Sequence, residues 1–122
     1  MKKYEFTGET IKSCGKVLHR IRAVRNFNGV KKGQLGGFIE KEENLSHDGD
    51  AWVYDNAKVF NNAEVCGNAR IYFKVEVSDN ARICDNAWIN GSVVVYGNVR
   101  IGGNARICGN AWIYSNAEIY GK

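Results

Sequence analysis

From Gly49 to Tyr120 the chain repeats every six residues, twelve times in succession and without an insertion: GDAWVY, DNAKVF, NNAEVC, GNARIY, FKVEVS, DNARIC, DNAWIN, GSVVVY, GNVRIG, GNARIC, GNAWIY, SNAEIY. The fifth position is always Val or Ile, and the third is Ala in nine hexads and Val in three. Two apolar positions separated by one residue describe a very short strand with both side chains on the inner face and positions four and six facing out. So short and strict a period is the mark of a solenoid, in which each unit buries its apolar face only against its neighbours. Positions one and two, mostly Gly or Asp followed by Asn, then form corners. This accounts for an odd composition, 14 Gly and 14 Asn with no Pro, because Gly and Asn tolerate left-handed backbone where most residues do not.

Three hexads per coil give a period of 18, so twelve hexads make four coils. Asn68, Asn86 and Asn104 then stack in one column, and Asn62, Asn80, Asn98 and Asn116 in another, as structural ladders. A degenerate hexad, Glu43 to Asp48, leads into the first coil through Leu45. Residues 1–42 do not follow the six-residue rule. Their apolar stretches at Tyr4 to Phe6, Lys16 to Val24 and Phe38 to Glu40 read as strands joined by turns at Gly8, Gly15, Gly29 and Gly36 to Gly37. The chain therefore divides into a β-rich cap, 1–48, which covers one end of the solenoid, and the repeats, 49–122, within one domain. The other end, left uncovered, is expected to pair with a second copy as a homodimer through Val94, Tyr96, Trp112, Ile113 and Tyr114.

The hexads carry a family resemblance. They are similar to hexapeptide-repeat left-handed β-helices, in which three hexads make one triangular coil, and the likeness covers about 60% of the chain. With the N-terminal LHRIRAVRNF, QLGGFIEKEENLS and DGDAWVY, the chain further resembles small bacterial and phage-borne YdcK-like repeat proteins. The resemblance implies an all-β, left-handed parallel β-helix. Through its phage-borne members it also implies one specific role, an inhibitor docking on a host defence complex of the CRISPR type.

Sorting outward residues by face yields the candidate sites. One face alternates Trp52, Arg70, Trp88 and Arg106 at position four and adds Tyr54 and Tyr72 at position six, an aromatic and basic surface suited to a macromolecular partner. A second carries the apolar patch of Val94, Tyr96, Trp112 and Tyr114. On the third, Glu64 with Arg82 and Arg100 with Glu118 read as ion pairs between neighbouring coils. The charge excess is local: residues 1–48 hold ten basic and six acidic side chains, whereas 49–122 hold seven of each. Arg20, Arg22 and Arg25 lie in a run from Lys12 to Lys32 that contains no acid, a candidate contact for an acidic protein or for nucleic acid.

Chemistry is harder to find. The resemblance implies acyl-CoA-dependent acyltransfer as an alternative, with a His as general base. Of the two His, His19 sits in the basic strand, and His47, just ahead of the first coil, is the candidate base. Two His offer no metal-ligand spacing, and the chain has no P-loop, GxGxxG, GxSxG or CxxC motif, so neither metal nor cofactor is expected. Cys66 and Cys84 are stacked neighbours, but adjacent parallel strands seldom offer disulfide geometry, and both are expected as thiols. There is no apolar run of about 20 residues and no secretory h-region at MKKYEFTGE, so the expected compartment is the cytoplasm. The reading is of a non-enzymatic binding module.

Overall fold

The computed structural model describes residues 2–121. Its strands follow the hexads: two-residue strands start at Trp52, Lys58, Glu64 and Arg70, and the spacing of six continues to Glu118. Partners in the parallel ladders are 18 residues apart, as in Trp52 opposite Arg70 and Arg70 opposite Trp88. Three sheets result, one per face. The backbone bonds that join them are regular: the Arg70 and Trp88 N–H groups donate to Ala87 and Ala105 at 2.9 Å. Ala at position three and Val or Ile at position five fill the interior, from Ala51 and Val53 to Ile101 and Ala105, all buried.

Position one carries the corner. All twelve first positions have positive φ, among them Asp55 and Asp79 at 58° and Gly67 at 65°. The left-handed residue is therefore the one before the recurring Asn, and the Asn side chain is free for another task. Asn68 donates to Asn86 and Asn86 to Asn104, each at 3.3 Å, and Asn80, Asn98 and Asn116 are linked likewise at 3.2 Å. Asn62 stands outside its column and accepts from Lys41 Nζ. Aspartates at position one add a second ladder: Asp55, Asp79 and Asp85 accept the backbone N–H of the residue one coil on, Phe73, Gly97 and Gly103.

The N-terminal region is less a lid than an extension of one sheet. β1 (Tyr4–Ser13) and β2 (Lys16–Ala23) form an antiparallel hairpin, β2 pairs with β3 (Leu35–Ile39), and β3 runs parallel to the strand Lys58–Val59. Leu45 bridges to Val65 on another face, so β3 and Leu45 already belong to the coil and the stack has about five turns, one more than the hexads alone give. The expected turns at Gly15 and Gly29 are present, with Cys14 and Asn28 beside them at positive φ. Gly8 instead lies within β1 where the register shifts. Gly36 and Gly37 are strand residues, because β3 crosses so close to the first coil that a Cβ on Gly36 would stand 2.7 Å from the Val53 carbonyl and 2.8 Å from the Trp52 ring.

Two expectations about side chains are corrected. Cys66 and Cys84 form a disulfide, their Cα atoms 4.6 Å apart, within the span that a bridge needs; Cys14 and Cys108 are free and exposed. The pairs Glu64–Arg82 and Arg100–Glu118 are strand partners, yet neither closes an ion pair among the described residues. Long exposed side chains gain too little from such a contact to be held in it. No helix of the described residues is long and apolar enough to cross a membrane.

Candidate interaction surface

Trp52 is not on the surface. It is fully buried, with Phe27 packed edge-on at 5.3 Å and Tyr4 at 6.3 Å. The cap turn between β2 and β3 closes over the first coil, and a position that faces outward elsewhere becomes core there. Phe60, also at an outward position, is buried against Leu18 of β2 and Phe38 of β3.

What remains open on that face is a continuous aromatic and basic strip. Tyr54 and Tyr72 stack at 4.4 Å, Tyr72 meets Trp88 edge-on at 5.5 Å, and the Arg106 guanidinium lies 5.0 Å from the Trp88 ring. Burial, then the neighbouring Tyr72, pushes the Tyr54 hydroxyl up to about 12, so it stays neutral. Arg70, Trp88 and Arg106 line a cleft of about 360 Å³ with Asn28, Asn68 and Asn86. Asn28, supplied by the cap turn, could not be found from the repeat, because nothing in the hexads says where residues 27–30 dock. Neither Arg70 nor Arg106 makes an ion pair among the described residues.

The basic run of the cap is different. Arg20 donates to Glu9 at 3.0 Å, to the Gly36 carbonyl at 2.8 Å and to Asn56, and lies 4.2 Å from the Phe38 ring. Arg22 is bound to Glu5, and Lys16 is 3.9 Å from Glu40. Arg25 sits over Phe27 and reaches the His47 carbonyl at 3.4 Å. Strand pairing brings acids from β1 and from Glu40 against a run that looks acid-free in sequence, so Arg20, Arg22 and Arg25 are largely occupied in holding the cap.

His47 is also engaged. Its Nδ1 accepts the Lys3 backbone N–H at 3.0 Å, its Nε2 is 2.7 Å from a Glu42 carboxylate oxygen, and its ring stacks on Tyr4 at 4.1 Å. A backbone N–H can only donate, so the lone pair is at Nδ1 and the proton at Nε2 points to Glu42. That hydrogen bond holds the Glu42 carboxyl below the usual carboxylate range. With both nitrogens committed, His47 has no free lone pair for a substrate proton, although it borders a cleft of about 490 Å³ with Ser46 and Glu64. His19 stacks on Phe6 at 4.5 Å within the hairpin. Among the described residues, no three His, Cys, Asp or Glu converge as a metal site.

Toward the C-terminus, Trp112 and Tyr114 are exposed, Tyr96 and Val94 half-buried, and Tyr96 stacks on Tyr114 at 5.5 Å. Ile113, named with them in the expected interface, points inward and is buried, as position five requires.

Two comparisons bear on this geometry. The model of the YdcK Beta solenoid repeat family matches residues 81–97. A relative from Escherichia coli (strain K12), the "Uncharacterized acetyltransferase YdcK", is 41% identical over 56 residues, which are 45% of this chain and 17% of that protein. The chain thus spans well under two-thirds of the relative it matches.

Proposed function

We propose that this chain, whose repeats resemble the YdcK solenoid, is a binding module that holds an acidic segment of a protein partner on the strip formed by Tyr54, Tyr72, Trp88, Arg70 and Arg106. One observation carries the reading: two guanidiniums without ion-pair partners flank an exposed indole in one cleft, on a rigid face whose position-four and position-six residues include no acid. Arginine and Trp are the residues that anchor protein contacts most often, and a flat solenoid face presents them without ordering cost. Nucleic acid fits less well. The aromatic faces are already taken by one another and by Arg106, and Arg22, Arg20 and Lys16 of the cap by Glu5, Glu9 and Glu40, so fewer cations are left to follow a phosphate backbone.

The test is capture with the native chain beside Trp88→Ala and Arg106→Ala. A partner held by the parent and lost from both variants, with their thermal unfolding unchanged, supports the reading; a partner retained by both sinks it. Self-association is proposed for the Trp112, Tyr114 and Tyr96 patch. Trp112→Glu is then expected to run as a monomer in light scattering beside a dimeric parent, and a monomeric parent removes the proposal.

A second reading follows from the relative's name, acetyl transfer. It requires saturable acetyl-CoA binding in calorimetry. It also requires His47 to leave its two hydrogen bonds, so a His47→Ala chain that binds acetyl-CoA as the parent does would take His47 out of the site.

A further inference from the structure

The third face carries an independent site. Its position-four column reads Glu64, Arg82, Arg100, Glu118, and strand register sets Arg82 directly opposite Arg100. Neighbouring strands lie roughly 4.8 Å apart, and like charges directly opposed at that spacing destabilise a sheet. Neither arginine closes an ion pair among the described residues, although Glu64 stands one coil before Arg82 and Glu118 one coil after Arg100.

The position-six column beside them reads Cys66, Cys84, Gly102, Tyr120. Cys66 and Cys84 turn toward each other in the disulfide, and Gly102, where every other hexad has a side chain, has none. The result is a notch of about 180 Å³ lined by Arg82, Arg100, Asp85, Cys84, Gly102 and Tyr120. A Cβ on Gly102 would stand 2.7 Å from Asp85 Oδ2 and 3.1 Å from the Tyr120 ring, so the notch depends on glycine there. Asp85, the one acid in it, has Oδ2 committed to the Gly103 N–H at 2.8 Å. Two forked cations, neither closing an ion pair among the described residues, meet beside a single hydrogen-bonded carboxylate in a recess smaller than the roughly 300 Å³ of a pocket for a whole drug-sized ligand.

We infer that Arg82 and Arg100 together bind a phosphate group, as free phosphate or as the phosphate of a small monoester. Each guanidinium presents a planar pair of N–H donors that matches two oxygens of a tetrahedral oxyanion, and a dianion relieves the repulsion between the two cations. The inference does not rest on the protein-binding strip, which lies on another face.

Thermal unfolding tests it, at constant ionic strength, with sodium chloride replaced stepwise by inorganic phosphate or by phosphoserine. The parent is expected to gain Tm with phosphate. Arg100→Gln is expected to start from a higher Tm, its like-charge contact gone, and to lose at least tenfold in apparent phosphate affinity. Arg106→Gln, on the other face, keeps the parent's response. Half-maximal stabilisation by phosphoserine at a lower concentration than phosphate assigns the site to a monoester, and the reverse order to the free ion. A parent that does not respond, or an equal Tm gain in the parent and Arg100→Gln, overturns the inference.

Discussion

Trp52, Trp88 and Trp112 occupy the same position of nearly identical hexads, yet their exposures are 0%, 38% and 67%. The repeat assigns all three to the outside. The gradient comes from what lies beside them: Phe27 and Tyr4 of the cap cover the first, the aromatic strip shields the second in part, and little packs on the third. The first coil and the last therefore differ in kind. At the first, the coil is completed by irregular sequence and even Lys3 is buried, its Nζ donating to the Ala51 carbonyl at 2.6 Å. At the last, the inward residues Ile107, Ala111, Ala117 and Ile119 are only partly covered. In a solenoid the interior of a coil is fixed by its own residues, and the exterior is fixed by whatever docks on it.

The sharpest way to break this contrast is to truncate the two outer tryptophans. Trp52→Ala is expected to cost about 3 to 5 kcal/mol in urea unfolding, as large aromatic cavities do, while Trp112→Ala, compared at concentrations too low for self-association, stays within about 0.5 kcal/mol. Equal losses would mean that the cap does not stabilise the first coil. A second probe is pH. Burial, then the neighbouring Arg25, lowers the Lys3 pKa to about 8 from 10.5. Between those values the unfolded chain holds the proton and the folded chain does not, so stability rises with pH across that window. Relative to Lys3→Met, the parent should gain on the order of 2 kcal/mol from pH 8 to pH 10.5, and using the variant as reference cancels the opposing effect of buried Tyr4. A flat difference would place the Lys3 amine in water.

Within the repeats the effects are smaller. Phe73 holds a corner at φ 58°, where a bulky side chain is strained, and it is exposed. Phe73→Asp should stabilise by about 1 kcal/mol in thermal scans, because Asp tolerates the left-handed region better and can accept the Gly91 N–H as Asp79 accepts that of Gly97. A loss would show that the Phe73 ring has a packing role. Smallest is Arg22→Ala: its bond to Glu5 joins two half-exposed side chains, so the expected loss is a few tenths of a kcal/mol.

These contrasts also mark where sequence reading stops. Every inward Ala, Val and Ile was legible from the period of six, as were the coil of 18, the Asn68 to Asn104 ladder and the role of Leu45, because each depends only on neighbours at fixed spacing. Trp52 and Phe60 were assigned to the surface because the docking of residues 27–30 and of β2 follows no period. Arg20 and Arg22 looked free because their partners, Glu9 and Glu5, lie across a hairpin, eleven and seventeen residues away. Gly36 and Gly37 looked like a turn because a glycine needed for close approach reads the same as one needed for positive φ. The Arg82–Arg100 opposition was visible in the period, but reading each arginine with its nearest acid hid it.

The left-handed corner at every sixth residue makes the solenoid a counting device with a phase. Inserting or deleting 18 residues would lengthen or shorten each face and leave every column aligned. A change of six would turn all that follows by one face, carrying Trp112 into the column of Trp88 or of Arg100 according to its sign. The aromatic strip and the arginine notch therefore survive length variation only in steps of a whole coil, and a chain of this kind can change its reach without changing what each side presents.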